Sequence, residues 1–308
     1  MPAEKVIIDT DPGIDDAMAI LFAFLHEDID LIGLTTIFGN VTTDIATRNA
    51  LALAELAGVN VPVARGAYVP LVQEALPVAD FVHGTEGFGE VPPFAPSGLP
   101  VEQTAAEFIC EAVNANPGEI VLCPVGPLTN LAIALEQDPS IAANVKSVTV
   151  MGGSVAAGGN ATPHAEANIW QDPHAARAVF EAPWDVTLVG LDVTHKVICG
   201  PADFAGLAEA APKLGGFLND AAQFYFRFHE KHDGFYGCHL HDPTAVISIV
   251  QPDLFTLEQG SLDVIVEGDK SGQTVKSSDA SRPRANLCMG VDDNAVRSLF
   301  LSTIKSSC

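Results

Sequence analysis

The chain has 308 residues, of which 48% are hydrophobic and 18% are charged. This composition supports a large buried core and excludes an intrinsically disordered chain. The 39 acidic residues outnumber the 15 Lys and Arg residues, and the resulting net charge of −24 repels phosphate backbones and anionic lipids. We therefore expect neither nucleic acid nor a membrane as a partner.

Along the chain, short apolar strands alternate with helices. Strands are predicted at residues 6–9, 31–37, 120–123, 148–151 and 186–189, and helices at 14–26, 44–56, 101–114, 128–135 and 173–180. This alternation is typical of βαβ units. The predicted fold class is α/β, with one domain over residues 1–308 and an open, mostly parallel, Rossmann-like sheet flanked by helices. Near residues 261–266 the pattern changes to strand and loop, which predicts a small β addition at an edge of the sheet.

Two segments interrupt the alternation and are predicted to flank the functional site. Residues 65–100 contain six prolines and five glycines, and long loops of this kind often act as lids. The second segment, residues 217–240, begins with seven Phe and Tyr residues between positions 217 and 236. It is either an amphipathic helix packed into the core or a helix that supplies aromatic rings to a ligand pocket.

The N-terminal residues show no signal-peptide pattern, and no run of about 18 apolar residues occurs. The six cysteines are scattered, without a CxxC pair or the spacing of a disulfide framework. Reduced thiols in the cytoplasm are the expectation from this pattern.

Four carboxylates follow the first predicted strand within eight residues: Asp9, Asp11, Asp15 and Asp16. No Lys or Arg occurs between residues 6 and 47. Like charges this close would be costly or would force protonation unless a cation lies between them. Helix capping accounts for one or two of these acids but not for four. The run therefore predicts a site for a hard divalent cation such as Ca²⁺ or Mg²⁺.

Polar residues and glycines also follow other predicted strands, at the edge where open parallel sheets bind ligands. They are Gly39 and Asn40 after the second strand, Pro124 to Gly126 after the third, and Asn160, Glu166 and Asn168 after the fourth. Amides and carboxylates of this kind suit sugar hydroxyls. The glycine-rich residues 151–159 lack the spacing of known phosphate loops, so a turn is favoured over phosphate binding there.

The run Cys238-His-Leu-His-Asp-Pro243 has two interpretations. Asp242 followed by Pro243 is a good start for a helix. Alternatively, Cys238, His239 and His241 are borderline ligands for zinc, although their spacing is not a standard one.

Together, these motifs resemble the inosine–uridine-preferring nucleoside hydrolase family. The run Asp9-Thr-Asp-Pro-Gly-Ile-Asp-Asp16 matches the N-terminal aspartate fingerprint of that family. Further matches follow in order at residues 35–40 (TTIFGN), 83–84 (HG), 126–130 (GPLTN), 151–153 (MGG), 165–168 (AEAN), 172–173 (DP), 190–194 (GLDVT) and 241–243 (HDP). The resemblance covers essentially the whole chain.

The resemblance implies Ca²⁺-dependent hydrolysis of the N-glycosidic bond of ribonucleosides, which gives free base and ribose through an oxocarbenium-like transition state. The Ca²⁺ ligands it implies are the carboxylates of Asp11, Asp16 and Asp242 and the backbone carbonyl of Val125. Asp11 would also take the proton of a water held by Ca²⁺.

The remaining roles are implied in the same way. Asn40 would lie near the attacking water, and Asp9 would support the metal ligands from behind. Asp15, Asn160, Glu166 and Asn168 would bind ribose hydroxyls, and His83 would lie near the base. His241 is the candidate proton donor to the departing base. The partner would be a small ribonucleoside, and a homodimer or homotetramer is expected.

The sequence departs from the family at Val125, where some members carry threonine, and at Ala167, where some carry an aromatic residue. The missing ring leaves the base preference open between pyrimidines and broad specificity. Two other functions remain as alternatives. One is a phosphohydrolase with an aspartate nucleophile. Asp9 and Asp11 resemble the aspartate pair of such enzymes, but those enzymes usually carry Gly-Thr at the positions of Pro12 and Gly13. The other is a non-catalytic, calcium-dependent protein that binds nucleosides or sugars.

Overall fold

The computed structural model describes residues 2–307. The strands are β1 (Glu4–Thr10), β2 (Ile29–Thr36), β3 (Val63–Arg65), β4 (Ile120–Pro124), β5 (Ser147–Met151), β6 (Val186–Val189), β7 (Ile198–Cys199), β8 (Cys238–His239), β9 (Phe255–Val264), β10 (Thr274–Ser277) and β11 (Ala285–Val291). The helices are α1 (Ile14–Leu25), α2 (Thr43–Ala57), α3 (Asp80–His83), α4 (Ala105–Ala115), α5 (Thr129–Gln137), α6 (Ile141–Asn144), α7 (Ala167–Gln171), α8 (Pro173–Glu181), α9 (Leu191–Thr194), α10 (Pro201–Ala210), α11 (Leu214–His232), α12 (His241–Val250) and α13 (Asp293–Lys305).

Nine strands form one sheet in the order β10-β9-β11-β6-β5-β4-β1-β2-β3. Every pair from β11 to β3 is parallel, whereas β9 runs antiparallel to both β10 and β11. A second, two-stranded sheet pairs β7 with β8. The mostly parallel α/β fold and its β addition at one edge are confirmed. The addition is larger than predicted, because it comprises β9, β10 and β11 rather than residues 261–266 alone.

The central strands are buried on both faces. In β1, Val6 and Ile8 contribute to one hydrophobic core, and Ile7 between them contributes to the other. Successive side chains of a strand point to opposite faces, so the two cores lie on opposite sides of the sheet. Helices α1, α11, α12 and α13 supply the first core, and helices α4, α5 and α8 supply the second.

Local capping sets the helix boundaries. Helix α2 ends at Gly58, which adopts φ 72° and has no Cβ to oppose that conformation. The helix predicted from residue 101 begins instead at Ala105, because Thr104 and Glu107 form a reciprocal capping box. The preceding residues 101–104 are extended or bent and lead into this cap.

The two segments that interrupt the alternation pack against each other. The 65–100 segment is mostly loop and contains the short helix α3, while the aromatic segment forms α11. The ring of Phe81 lies 5.9 Å from that of Phe228, and Phe88 meets Phe217 edge-on at 5.2 Å. The aromatic residues of α11 therefore serve the core, as the first interpretation held, and Tyr225 also reaches the functional site.

Cys110, Cys123, Cys199, Cys238 and Cys288 are free thiols, and Cys308 lies outside the described residues. Within residues 2–307, no helix combines the length and apolar character needed to cross a bilayer.

Candidate active site

The candidate site lies at the carboxyl ends of the central strands. Asp11 follows the last residue of β1, and Asn40 follows β2 by a short turn. Val125 follows β4, and Asp242 lies in the first turn of α12. The topology thus gathers at one edge residues that are up to 231 positions apart in sequence, as expected for a parallel sheet.

Four buried carboxylates, here called the acidic cluster, form the centre of the site: Asp11, Asp15, Asp16 and Asp242. One oxygen each from Asp15, Asp16 and Asp242 lie within 4.8 Å of one another. This compact group differs from the predicted metal ligands in two ways. It includes Asp15, for which the resemblance implied a role in ribose binding, and it lacks Asp11, for which the resemblance implied a role as metal ligand. Asp11 nevertheless lies close enough to Asp16 for their charges to repel.

Two carboxylates of this cluster are held in place by donors from the turns that follow β1 and β2. Asp16 accepts hydrogen bonds from the hydroxyl of Thr10 at 2.5 Å and from the amide of Gly13 at 2.9 Å. The backbone N–H of Asn40 donates to one oxygen of Asp11 at 2.6 Å, and its side-chain amide donates to Asp16 at 2.9 Å. Asn40 therefore fixes the relative positions of these two carboxylates.

The chemistry of the acidic cluster fits a hard divalent cation. Burial raises the pKa of Asp15 to about 8, and it raises the pKa values of Asp11 and Asp242 well above their usual range. Repulsion among these carboxylates adds to the shift. Within residues 2–307, Oδ1 of Asp11 and Oδ1 of Asp15 are buried without a hydrogen-bond partner. A cation with oxygen preference would neutralise these four carboxylates and allow them to ionise.

Asp9, which the resemblance assigned to the support of the metal ligands, is buried at the end of β1. Its Oδ1 accepts hydrogen bonds from the hydroxyl of Thr35 at 2.5 Å and from the side-chain amide of Asn130 at 2.7 Å. Burial raises the pKa of Asp9 to about 7 despite these bonds. Its contacts are with the sheet and α5, so this residue braces the strand end.

Asn168 connects two of the strand ends. Its side-chain amide donates to the carbonyl of Val125 at 2.8 Å and to that of Met151 at 3.1 Å. The Val125 carbonyl is the predicted backbone ligand of the metal, and a carbonyl oxygen has a second lone pair. The bond to Asn168 is thus compatible with that role.

Glu166 and Asn160 make contacts that their sequence pattern did not indicate. Glu166 caps α7, and its two oxygens accept hydrogen bonds from the backbone amides of Gly153, Asn168 and Ile169. Asn160 is exposed and accepts a hydrogen bond from the amide of Ala167. Both side chains thus hold the start of α7, which carries Asn168, in place.

Two buried histidines border the acidic cluster. Nδ1 of His83 accepts a hydrogen bond from the amide of Ile14 and lies 3.8 Å from Asp15. Nδ1 of His241 lies 2.8 Å from the hydroxyl of Thr194. Burial lowers the pKa of His83 to about 3, and burial with neighbouring imidazoles lowers the pKa of His241 well below 6.5. Both rings are therefore neutral at pH 7 in the protein alone.

Sequence reasoning missed several contributors to the site. Thr10, Thr35 and Thr194 hold predicted residues by their hydroxyls, and the hydroxyl of Tyr225 contacts Asp15 at 3.4 Å. Thr35 had a signal, since it lies near the end of a predicted strand, and in the structure it pairs in register with Asp9. Tyr225 belongs to the aromatic segment that was predicted to flank the site, but which of its rings reaches the site depends on how α11 packs.

Comparison with known proteins gives a consistent result. A family model described as inosine-uridine preferring nucleoside hydrolase matches residues 6–298, a span that includes every member of the acidic cluster. Uridine nucleosidase 1 of Arabidopsis thaliana is 46% identical over 273 residues, which cover 88% of this chain and 81% of that protein.

Solved structures agree over almost the entire chain. A plant nucleoside hydrolase matches with a TM-score of 0.96 and 38% identity, over 99% of this chain and 100% of that one. A purine-preferring ribonucleoside hydrolase from Gardnerella vaginalis matches with a TM-score of 0.94 and 32% identity, over 99% of each chain.

Proposed function

The chain belongs to the inosine-uridine preferring nucleoside hydrolase family, enzymes that act on N-glycosyl bonds, and we propose that it hydrolyses ribonucleosides to ribose and free base with a bound Ca²⁺. The observation that carries the proposal is the acidic cluster, whose buried oxygens include two without hydrogen-bond partners. A phosphohydrolase would also require a positively charged residue to bind phosphate. A calcium-dependent binding protein would need the carboxylates for its metal but not a general base or a proton donor, and both candidates for these roles, Asp11 and His241, are present.

The ligands we propose for Ca²⁺ are Asp11, Asp16, Asp242 and the carbonyl of Val125, and Asp15 lies close enough to join them. When bound, the cation would neutralise the carboxylates, orient the ribose hydroxyls and lower the pKa of a water molecule. Ca²⁺ accepts six to eight oxygen ligands with flexible geometry, which suits a site with this many oxygens.

Asp11 is the proposed general base. One of its oxygens is fixed by the amide of Asn40, and Oδ1 is buried and unpaired. That oxygen would accept a proton from the attacking water while the hydroxide equivalent bonds to C1′ of ribose. The bond between C1′ and the base nitrogen breaks, and its electron pair leaves with the base.

Negative charge near the sugar would favour this reaction. The transition state carries positive character at C1′, as in other glycosidic cleavages. Asp11, Asp15 and Glu166 would stabilise this charge because they are buried, where electrostatic interactions are stronger than in water. Asn160 and Glu166 lie on the loop before α7 and Asn168 lies in the first turn of that helix, and from there they would bind the remaining ribose hydroxyls.

His241 and His83 are proposed to face the base. Since the lowered pKa keeps His241 neutral, its ring would donate a hydrogen bond to the departing base rather than carry a standing positive charge. Thr194 would fix the orientation of the ring through Nδ1. We propose that uridine is among the preferred substrates, supported by the identity to a protein named uridine nucleosidase.

The test is the release of free ribose from uridine, cytidine, inosine and adenosine, measured as reducing sugar. We expect Asp11→Asn to lower kcat by at least ~10²–10⁴-fold, the range typical of lost general base catalysis. Asp28→Asn, on an exposed carboxylate of the same half of the chain, is the matched control and should retain activity.

Metal dependence is tested on the same samples. Prolonged chelation should abolish ribose release, and Ca²⁺ should restore it while circular dichroism stays constant. If no nucleoside releases ribose from folded, calcium-loaded protein, the proposed function is wrong. Phosphate release from p-nitrophenyl phosphate would then favour the phosphohydrolase.

A further inference from the structure

A second group of ligating side chains lies beside the active site. His229 near the end of α11, Asp233 just after it and His239 in β8 place one ligand atom each within 4.8 Å of one another. We call this group the histidine cluster. Of the three zinc ligands that the sequence suggested, only His239 belongs to this group. Cys238 packs into the hydrophobic core, and His241 contacts Thr194 instead.

The histidine cluster contains unsatisfied nitrogen atoms. Nδ1 of His229 lies 2.5 Å from a carboxylate oxygen of Asp233, so two of the three side chains are already in contact. Within residues 2–307, Nε2 of His229 and Nδ1 of His239 are buried and have no hydrogen-bond partner. The side chains of His229 and His239 are only 3% and 7% exposed, so water does not freely satisfy these atoms.

The type of donor distinguishes this group from the acidic cluster. Two imidazoles and one carboxylate suit Zn²⁺ and similar transition metals, whereas oxygens alone suit Ca²⁺. Burial lowers the pKa of His239 to about 3 and also lowers that of His229, so both rings keep a free lone pair at neutral pH. Asp233 is exposed, and its side chain can adjust to draw the three ligand atoms around one ion.

We propose that His229, Asp233 and His239 form a second metal site, which binds Zn²⁺ or a chemically similar transition-metal ion separately from the acidic cluster. Such a site would tie the end of α11 to β8. Tetrahedral zinc would have its fourth position filled by water, since the group supplies three ligands.

The location links this site to the active site. The ring of His239 lies 5.3 Å from that of His241, and the ring of His229 lies 4.4 Å from that of Tyr225. An ion here would restrain the wall that faces the base. We therefore expect micromolar Zn²⁺ to inhibit the enzyme, a consequence that rests on the proposed function, whereas the metal site itself does not.

The test uses the full chain with excess Ca²⁺, so that the acidic cluster is filled. Co²⁺ is titrated as a spectroscopic probe, and its visible absorption is followed before and after the addition of Zn²⁺. We expect one Co²⁺ per chain, displaced by Zn²⁺. His229→Gln and His239→Gln should each weaken binding by at least about tenfold. His232→Gln, an exposed histidine on the same helix, is the control and should bind as the wild type does.

Asp233→Asn provides a surface substitution that tests the site even if a buried histidine variant fails to fold. No saturable Co²⁺ binding in the presence of Ca²⁺, or equal binding by the wild type, H239Q and D233N, would overturn the proposal. Because absorption reports binding directly, a failure of ribose release would contradict the proposed function without affecting this result.

Discussion

Asp11 owes its position to two glycines that let the backbone pass close to its carboxylate. A Cβ atom at Gly126 would lie 2.5 Å from Oδ1 of Asp11, and one at Gly39 would lie 2.0 Å from Oδ2. Gly39 also has φ 154°, a conformation that other residues rarely adopt. The proposed general base is thus confined on both sides by main chain rather than by side chains that could move aside.

Gly126→Ala should therefore damage catalysis more than folding. The added methyl group would displace Oδ1 of Asp11, the unpaired oxygen that we propose as the proton acceptor. A misplacement of about 1 Å in a catalytic group costs on the order of 10²-fold in rate, so we expect kcat to fall by about that factor. Steady-state ribose release measures the effect.

Gly216→Ala is the matched control for this substitution, because an added methyl group would meet no atom within 4 Å and helix α11 favours alanine over glycine. It should keep full activity. Equal kcat values for the Gly126→Ala variant and the wild type would show that Asp11 is not confined in this way.

For single residues, the sequence predicted which side chains supply charge, but not which hydrogen bonds hold those side chains in place. Four carboxylates in eight residues indicate a cation site whatever the fold. The bonds to Asp9 from Thr35 and Asn130 span 26 and 121 positions, so they depend on strand register and helix packing. Glu166 shows the converse, since its type suggested a sugar ligand while its contacts are with backbone amides.

At the scale of elements, Asp172 joins three parts of the chain. It caps α8 by accepting from the amide of Ala175, and its other oxygen accepts from the hydroxyl of Thr129 in α5 and the amide of Leu71. Leu71 lies in the 65–100 segment, which has little regular structure of its own. Asp172 therefore anchors that segment to the helices beside the site.

Asp172→Ala should destabilise the protein beyond the loss of a helix cap. A cap alone contributes about 1 kcal/mol, and hydrogen bonds to a charged group contribute roughly 1.5–3 kcal/mol each. Since the side chain is fully buried, we expect a loss of ~3–5 kcal/mol in the free energy of unfolding. Urea denaturation measures this quantity.

Asp292 provides the comparison, because it caps α13 through the amide of Ala295 but is exposed. Asp292→Ala should cost only about 1 kcal/mol. Similar losses for the two variants would mean that the bonds of Asp172 to α5 and to the 65–100 segment add nothing to stability.

The elements that the sequence predicted well are those buried on both faces. Strand β6 lies at Val186–Val189, as predicted, because this short run of β-branched and apolar residues is bounded by turns and is mostly buried. The edge strands were harder to predict. Strand β9 has four consecutive exposed residues, 256–259, so its pattern follows neither a helix nor a simple alternation. Its partner β11 has a bulge between Cys288 and Gly290.

For the whole molecule, the balance between acidic and imidazole groups determines how stability depends on pH. Buried carboxylates have raised pKa values, about 7 for Asp9 and about 8 for Asp15, compared with about 3.9 in an unfolded chain. Buried histidines have lowered values, about 3 for His83 and His239, compared with about 6.5 when unfolded. Below pH 6.5 the carboxylates make the free energy of unfolding fall as pH rises, whereas the histidines make it rise.

The metal-free protein should consequently lose stability between about pH 6.5 and pH 8. Above pH 6.5 the histidines are neutral in both states and no longer contribute to the slope. The native carboxylates still bind protons that the unfolded chain has released, so the free energy of unfolding falls as pH rises, by roughly 1–2 kcal/mol for each such group. Ca²⁺ favours the ionised carboxylates and should remove this fall.

Thermal unfolding of chelated and Ca²⁺-loaded protein across this pH range measures both effects. The Asp15→Asn substitution should make the stability of the chelated protein depend less steeply on pH. A chelated protein whose stability stays constant or rises up to pH 8 would show that the acidic cluster is ionised without a cation.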